Sequence, residues 1–381
     1  MKKFISSILI IAAILTSCGQ PQYVKPTEGS QKGFALSFFK NVLAVTPADQ
    51  NVVVSPYSAG VALSMVAEGA EGQTRAEFDK ALNGCLFKAV DLGSNDTVTV
   101  KSANSVWITD DFSVRNRYVG MLEKYFNAEV VNLNFADPAT VVAINNWCSE
   151  NTEGKINQIV DKLSPNNVML LLNALYFNAP WADPFPEANT KTGIFHQAQG
   201  DVDVPMMTKT VRMNCAEYQG CQMVELPYEG ERYAMYIVLP PAGFSVDKMI
   251  SYVNEGIYDQ AMSMMSAEKV CLTMPKLKLE TTMVLNEAVQ NMGIKSAFTS
   301  AANFKGIAEM GPLVLDQVKQ KCYIDISEKG TEAAAVTSIG IRLTSARPET
   351  VYKMTVDRPY VFFIADRTND NILFAGRVMQ P

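Results

Sequence analysis

The sequence contains a single histidine, His196, among its 381 residues. Metal sites that need several imidazoles are therefore excluded, and a Ser-His-Asp triad would have to use this one residue. A lone histidine of this kind is typical of a surface or structural role. The signatures GxGxxG, GxxxxGKS/T, GxSxG and HExxH are missing as well. The chain thus has few residues with which to act as an enzyme.

The charge balance is acidic, with 33 Lys and Arg against 39 Asp and Glu and a net charge of −6. No long basic run is present, so we expect no nucleic-acid partner. The chain is 48% hydrophobic, which excludes a disordered protein. No linker-like segment follows residue 31, which favours one large domain over residues 32–381.

The N-terminal segment has the pattern of a targeting signal. Two lysines precede an apolar run over residues 4–15 that is too short to span a membrane. The run ends in Leu-Thr-Ser-Cys18, which resembles a bacterial lipobox. We therefore predict a signal peptide over residues 1–17, and a lipidated Cys18 with a tether over residues 18–31. The protein is then expected on the bacterial cell envelope outside the cytoplasm, on a periplasmic or surface face, and an ordinary secreted protein is the alternative.

Six cysteines remain after Cys18. No CxxC spacing occurs among them, so a zinc ribbon and thioredoxin-like redox chemistry have no support. Several lie in apolar surroundings, such as Cys148 and Cys271, which favours free, buried thiols. Up to three disulfides are the alternative.

Hydrophobic periodicity predicts mainly helices in the first third of the chain and strands in the last. Helical periodicity is found over 33–45, 58–67, 114–126, 140–150 and 282–292. Strand-like runs are found over 168–177, 222–226, 233–239, 270–277, 361–364 and 372–378. Because the two kinds do not alternate regularly, the α+β class is favoured over a parallel doubly wound sheet. Ser55 followed by Pro56 is a helix-start signal.

A segment near the C-terminus has a two-residue period. The alternate residues are all small or apolar, and they are Thr331, Ala333, Ala335, Thr337, Ile339, Ile341 and Leu343. Both charges, Glu332 and Arg342, lie in the intervening set, so the segment can form a strand with one buried face. Gly330 precedes it and Pro348 follows it, as at the ends of a loop. The pattern fits either an ordinary edge strand or a loop that can enter a sheet.

Several segments together resemble the serpin family. They match its proximal hinge, its helix B and helix F regions, its central third strand and its C-terminal strands. The matching residues are 328–335 (EKGTEAAA), 51–58 (NVVVSPYS) with 68–74 (EGAEGQT), 144–147 (INNW) with 152–156 (TEGKI), 173–177 (NALYF) with Trp181, 357–360 (DRPY) and 373–377 (LFAGR). The match runs in order from about residue 32 to residue 381.

The resemblance implies a single α+β domain with a large central β-sheet, two smaller sheets and surrounding helices. It also implies a suicide-substrate inhibitor with an exposed reactive loop at about residues 328–350. A serine or cysteine protease cleaves this loop, which then inserts into the central sheet and distorts the acyl-enzyme. The native fold would be a kinetic trap. The target protease supplies the catalytic residues, so the chain itself needs none, and no cofactor or metal is implied. We expect a monomer that meets the membrane through its lipid.

The resemblance also assigns positions. The hinge comprises Glu328, Gly330, Thr331, Glu332, Ala333, Ala334 and Ala335. The shutter, which controls opening of the sheet, comprises Ser55, Ser58, Asn173 and Gln320. The family often has a histidine where Gln320 stands, so the shutter network is altered here. Trp181 stands at the breach, where the loop first enters the sheet.

Family spacing places the scissile bond fourteen residues beyond Gly330, at Thr344–Ser345. A small β-branched residue before the bond suits elastase-like or subtilisin-like proteases. Arg342–Leu343 is the alternative and would suit trypsin-like proteases. Arg347 is a poor candidate because a proline follows it.

Three functions are therefore compared. An inhibitor is favoured because Thr331, Ala333 and Ala335 on the inward face of the hinge would permit strand insertion. A non-inhibitory binding or carrier protein would keep the fold without the insertion. An envelope hydrolase would need His196 beside a serine and an acid.

Overall fold

The computed structural model describes residues 30–90, 92–94, 97–164, 166–309, 313–331, 350–369 and 371–381. Within them the chain forms helices packed on two β-sheets, which confirms the predicted α+β class. In the same residues, no helix has the length and hydrophobicity needed to cross a membrane. The six cysteines described are all free thiols, four of them buried.

Five of the eight helices described begin after a residue whose side chain caps them. The helices are α1 (Gln31–Ala44), α2 (Pro56–Glu68), α3 (Gly72–Ala81), α4 (Asn116–Phe126), α5 (Pro138–Asn151), α6 (Val246–Tyr252), α7 (Glu255–Ser263) and α8 (Asn286–Asn291). The predicted start of α2 is confirmed, since the Ser55 hydroxyl accepts a hydrogen bond from the Ser58 N–H at 3.1 Å. Helix α1 begins at Gln31, the last residue of the range predicted as tether, and Ser30 caps it.

The central sheet has six strands, and the hinge forms one of them. Its order is β10 (Leu277–Val284), β11 (Gln317–Ile326), β12 (Gly330–Thr331), β4 (Met169–Pro180), β2 (Thr99–Thr109) and β3 (Glu129–Leu133). Strand β4 is almost entirely buried because both faces of the sheet are covered.

The second sheet has nine strands. They are β1 (Val52–Val54), β15 (Asn371–Val378), β14 (Tyr360–Asp366), β8 (Tyr233–Leu239), β7 (Cys221–Pro227), β6 (Gly200–Tyr218), β9 (Ser266–Pro275) and β13 (Tyr352–Thr355) in this order, with β5 (Lys191–Gln197) also paired to β6. The 19-residue strand β6 pairs with β5, β9 and β7 along its length. The two smaller sheets of the prediction therefore form one hydrogen-bonded network here, because they share this strand.

Two hydrophobic clusters hold the layers together. The larger one contains side chains of α1, α2 and both sheets. The smaller one lies between α5, with the segment that follows it, and the opposite face of the central sheet. The central sheet is thus buried on both sides, and a strand can join it only between existing strands or at an edge.

Two of the predicted segments are wrong in their type or bounds. Residues 282–284 belong to β10 and not to a helix, because they continue the antiparallel pairing of that strand with β11 and its alternating burial. The helix in this region is α8 alone, over Asn286–Asn291. The predicted strand over 270–277 is divided between β9 and β10, since Pro275 ends the first.

Candidate functional site

The candidate site is the boundary between β4 and β11 in the central sheet, which we call the seam. Over residues 170–175 of β4 and 317–322 of β11, the two strands pair directly and in parallel. Beyond this stretch the short strand β12 lies between them. Thr331 pairs with Ile326 on one side and with Ala179 on the other, antiparallel to both strands. The first residues of the predicted hinge therefore occupy one end of the seam.

Some predicted site residues lie outside the described part of the chain. They are the hinge residues Glu332, Ala333, Ala334 and Ala335, both candidate scissile bonds, Thr344–Ser345 and Arg342–Leu343, and the lipidation site Cys18.

Gly330 adopts a backbone conformation that other residues rarely reach. Its φ angle is +151°, and a Cβ atom there would lie 2.2 Å from the carbonyl oxygen of Ala179 and 2.5 Å from the Cα atom of Pro180. Both of these are backbone atoms and cannot swing away. Glycine is therefore required where the hinge enters the seam.

Thr331 anchors the hinge through its side chain. The residue is completely buried, and its hydroxyl lies 2.8 Å from the Tyr228 hydroxyl. The Tyr228 ring stacks on Trp181 at 4.5 Å between ring centroids. Burial raises the pKa of Tyr228, so its hydroxyl stays protonated and available for this bond.

The segment over residues 181–185, which we call the hinge clamp, binds the hinge backbone. The Trp181 N–H donates to the Lys329 carbonyl at 2.9 Å, and its indole N–H donates to the Ser327 carbonyl at 3.0 Å. The Phe185 N–H donates to the Glu328 carbonyl at 2.8 Å. Three successive carbonyls at the start of the hinge, those of residues 327–329, are thus satisfied by one short segment, and the predicted breach residue Trp181 provides two of the donors.

Glu328 provides an ionic anchor beside the clamp. Its carboxylate lies 2.8 Å from the Lys276 ammonium and accepts a hydrogen bond from the Thr190 hydroxyl at 2.7 Å. Burial raises the pKa of this carboxyl, but the hydrogen bonds from Lys276 and Thr190 outweigh that effect, and the net shift is downward. Glu328 is therefore held in its ionised form.

A row of buried amides crosses the directly paired part of the seam. Gln320 on β11 lies opposite Asn173 on β4, which in turn lies opposite Asn104 on β2. The Gln320 amide donates to the Asn173 side-chain oxygen at 2.8 Å, and the Asn173 amide donates to the Asn104 oxygen at 2.6 Å. We call these three residues the amide row. It links both sides of the seam to the next strand.

Two serines join the amide row to the start of α2. The Ser55 N–H donates to Gln320 Oε1 at 2.8 Å, and Gln320 Nε2 donates to the Ser55 carbonyl at 3.0 Å. Asn173 Nδ2 also donates to the Ser58 hydroxyl. The structure therefore brings together all four residues assigned to the shutter. An amide at position 320 satisfies both backbone groups of Ser55, which an imidazole could not do in the same way.

Sequence reasoning missed several residues of the site. Asn104, Tyr228, Lys276 and Thr190 have no local pattern that distinguishes them from other polar residues. Asn104 meets Asn173 only through the register of β2 with β4, and Lys276 meets Glu328 only through the fold. Strand register was the signal needed, and it is not visible in a single sequence.

His196 is an exposed residue of β5. Its Nδ1 atom lies 2.8 Å from Asp201 Oδ1, and its backbone N–H donates to the Asp357 carbonyl at 2.7 Å. The hydrogen bond with Asp201 raises its pKa. Across the described residues, no serine, threonine or cysteine side chain is hydrogen-bonded to it, so the hydrolase hypothesis has no support. The same residues contain no cluster of three or more potential metal ligands.

The seam, the hinge and the amide row define a class of protein: one in which a short strand lies between two strands of the central sheet that pair directly further along. A family model described as "Serpin (serine protease inhibitor)" matches residues 29–381. The chain therefore belongs to the serpin family, whose members generally inhibit proteases. This also confirms the fold that the sequence resemblance implied.

Relatives cover nearly the whole chain. A serpin-like protein of Thermococcus kodakarensis is 33% identical over 372 residues, which cover 94% of this chain and 86% of the relative. Human serpin B8 is 31% identical over 91% of this chain and 97% of its own. The native structure of a thermophilic serpin, tengpin, is similar with a TM-score of 0.85 at 28% identity, covering 92% of this chain and 93% of tengpin.

We expect Gln320→Ala to weaken the closed seam. The substitution leaves the Ser55 N–H and carbonyl and the Asn173 oxygen without their partner, and each unpaired buried group costs about 1–3 kcal/mol. The free energy of unfolding measured with denaturant should therefore fall by at least about 2 kcal/mol. Gln73→Ala, which removes an exposed amide on α3, should change stability by less than about 0.5 kcal/mol. Equal losses for the two variants would contradict this role of Gln320.

We expect Glu328 to make stability depend on acid pH. Its pKa is lowered in the native state, so its stabilising contribution is complete above the ordinary carboxyl pKa of 4.5 and is lost as the pH falls through the lowered value. Unfolding free energies measured from roughly pH 6 to pH 3 should fall more steeply for the parent than for Glu328→Gln. Glu123→Gln, an exposed carboxylate on α4, should keep the parental slope. A parental slope in Glu328→Gln would rule out this ionic anchor.

Proposed function

We propose that the protein is a suicide-substrate inhibitor of serine proteases, and we extend the proposal to cysteine proteases. The observation that carries it is the position of the hinge. Gly330 and Thr331 already lie in the seam as β12, so the strand that insertion would extend has been started.

The proposed mechanism uses the nucleophile of the protease. That nucleophile attacks the carbonyl of the residue before the scissile bond, the peptide bond breaks, and the loop becomes an acyl group on the protease. The loop, now free to move, continues the direction of β12 between β4 and β11. Strand addition to a sheet is an established mode of recognition, and serpin loop insertion is one of its known examples.

Insertion requires the directly paired part of the seam to separate. Six residue pairs between β4 and β11 must part, and the contact between Gln320 and Asn173 must break with them. In the closed seam the hinge clamp holds the backbone at the start of the inserting strand. The free energy for this separation would come from the backbone hydrogen bonds that the inserted strand makes with both β4 and β11.

The target and the location are part of the proposal. Thr344–Ser345 is the proposed scissile bond and favours an elastase-like or subtilisin-like protease, with Arg342–Leu343 and a trypsin-like protease as the alternative. The lipobox-like sequence before Cys18 supports a signal peptide, a lipid anchor and a place on the bacterial cell envelope. We propose that the monomer acts there against proteases that reach the envelope.

Incubation with elastase, subtilisin, trypsin and a cysteine protease tests the function directly. We expect an SDS-resistant complex with elastase or subtilisin, and mass spectrometry of the released C-terminal peptide should show Ser345 as its first residue. A complex with trypsin that releases a peptide beginning at Leu343 would move the scissile bond to the alternative. Cleavage without any complex would refute inhibition and favour the non-inhibitory carrier.

Thr331→Arg should convert the inhibitor into a substrate. Thr331 is completely buried in the seam, and an arginine there would place an unpaired charge in an apolar site. We expect cleavage at an unchanged rate, with the yield of complex reduced by at least about tenfold. Thr192→Arg, which adds the same charge at an exposed position on β5, should inhibit like the parent. Thr331→Val should retain inhibition, and full inhibition by Thr331→Arg would overturn the insertion mechanism.

A further inference from the structure

A buried lysine touches the hinge clamp from the nine-stranded sheet. Lys209 lies on β6 opposite Leu272 of β9, and only 6% of its surface is exposed. Its ammonium group donates a hydrogen bond to the backbone carbonyl of Asp183. It also lies 4.4 Å from the ring centroid of Phe185 and 6.0 Å from that of Trp181. All three contacts are with residues of the hinge clamp.

The same residues bind the hinge. The backbone N–H groups of Trp181 and Phe185 donate to hinge carbonyls, and their rings face the lysine. A change in the charge of Lys209 would therefore act on the two residues that hold the hinge. No other element needs to transmit it.

The surroundings of Lys209 hold little that would balance a charge. Within the described residues, no carboxylate lies at ion-pair distance from its ammonium group, and the Asp183 carboxylate is the titratable group that acts on it. On β9 the residues beside Leu272 are Cys271 and Thr273, and the carboxylate of Glu328, whose backbone carbonyl the clamp binds, is already paired with Lys276. A buried ammonium without a carboxylate partner is unfavourable, and ring faces compensate only in part.

We propose that Lys209 is a positioning residue whose protonation controls the grip of the clamp on the hinge. In its neutral form the amine packs against both rings and keeps its bond to the Asp183 carbonyl. When it is protonated, the charge favours arrangements in which the clamp opens and water reaches the ammonium group. Opening of the clamp frees the start of the inserting strand. This last step alone rests on the proposed function.

The direction of the pH effect follows from the titration of this group. Burial lowers the pKa of Lys209 to about 7 from its ordinary 10.5, and Asp183 opposes that shift. In the unfolded chain the amine stays charged up to about pH 10.5, so the native state releases a proton between these values. Native stability from this residue therefore rises as the pH increases above about 7, and it is lowest and constant below that value.

Fluorescence of Trp181 tests the titration without any protease. In the parent, with Trp107 and Trp147 unchanged, we expect the emission to change with a midpoint near pH 7 over roughly pH 5.5–9. Lys209→Met should abolish the change, and Lys191→Met, which removes an exposed lysine on β5, should retain it. Lys209→Gln keeps a donor for Asp183 without a charge and serves if the methionine variant does not fold. A flat parental curve, or a change that persists in both neutral variants, would overturn the proposal.

Hydrogen exchange tests the link to the hinge. We expect the amides of Trp181 and Phe185 to exchange at least about threefold faster in the parent than in Lys209→Met at pH 6, after correction for intrinsic rates, and equally at pH 8. Lys209→Arg, which stays charged, should exchange fast at both values. The same ratio at pH 6 and pH 8 would refute control by pH. Because neither measurement involves inhibition, failure of the protease assay would leave their outcome unaffected.

Discussion

The parallel pairing of β4 with β11 is the constraint on which the proposed site depends. The hinge strand β12 runs antiparallel to both of them, so its continuation would replace one parallel ladder by two antiparallel ladders. Antiparallel ladders are slightly more stable for each residue, and every backbone hydrogen bond adds about 1 kcal/mol net. Under the proposed function the inserted state is then the more stable one, and the closed seam is a kinetic trap held by a barrier.

That barrier has two parts with different chemistry. In the directly paired part the amide row closes the seam through neutral groups, and a partly broken buried network costs more than its separate bonds suggest. Gln320 does not titrate, whereas a histidine at this position would change charge near neutral pH. At the hinge end the hinge clamp and the ionised Glu328 hold the strand. Among these contacts the titratable groups lie at the hinge end, where Glu328 and Lys209 are found.

Sequence patterns predicted the features that depend only on neighbouring residues. Ser55 and Pro56 start α2 because capping needs only neighbouring residues, and the alternation from Thr331 begins in a buried strand. Residues 282–284 were assigned to the wrong type because apolar spacing alone does not separate a helix from an alternating strand. Asn104 could not be found, since only strand register places it beside Asn173. The shutter positions came from resemblance to the family and not from periodicity.

Under the proposed function, one mechanism explains both why the chain has few candidate catalytic residues and which residue types line the seam. An inhibitor that is attacked by its target needs no nucleophile or base of its own. It needs a segment that is a loop in one state and a central strand in another, so its side chains must be small or able to lose water. The limit on side-chain size is strictest at Gly330, because the backbone of β4 leaves no room for a Cβ atom. The chemistry of this site is therefore that of backbone pairing, and its selectivity for a protease must lie in the residues around the scissile bond.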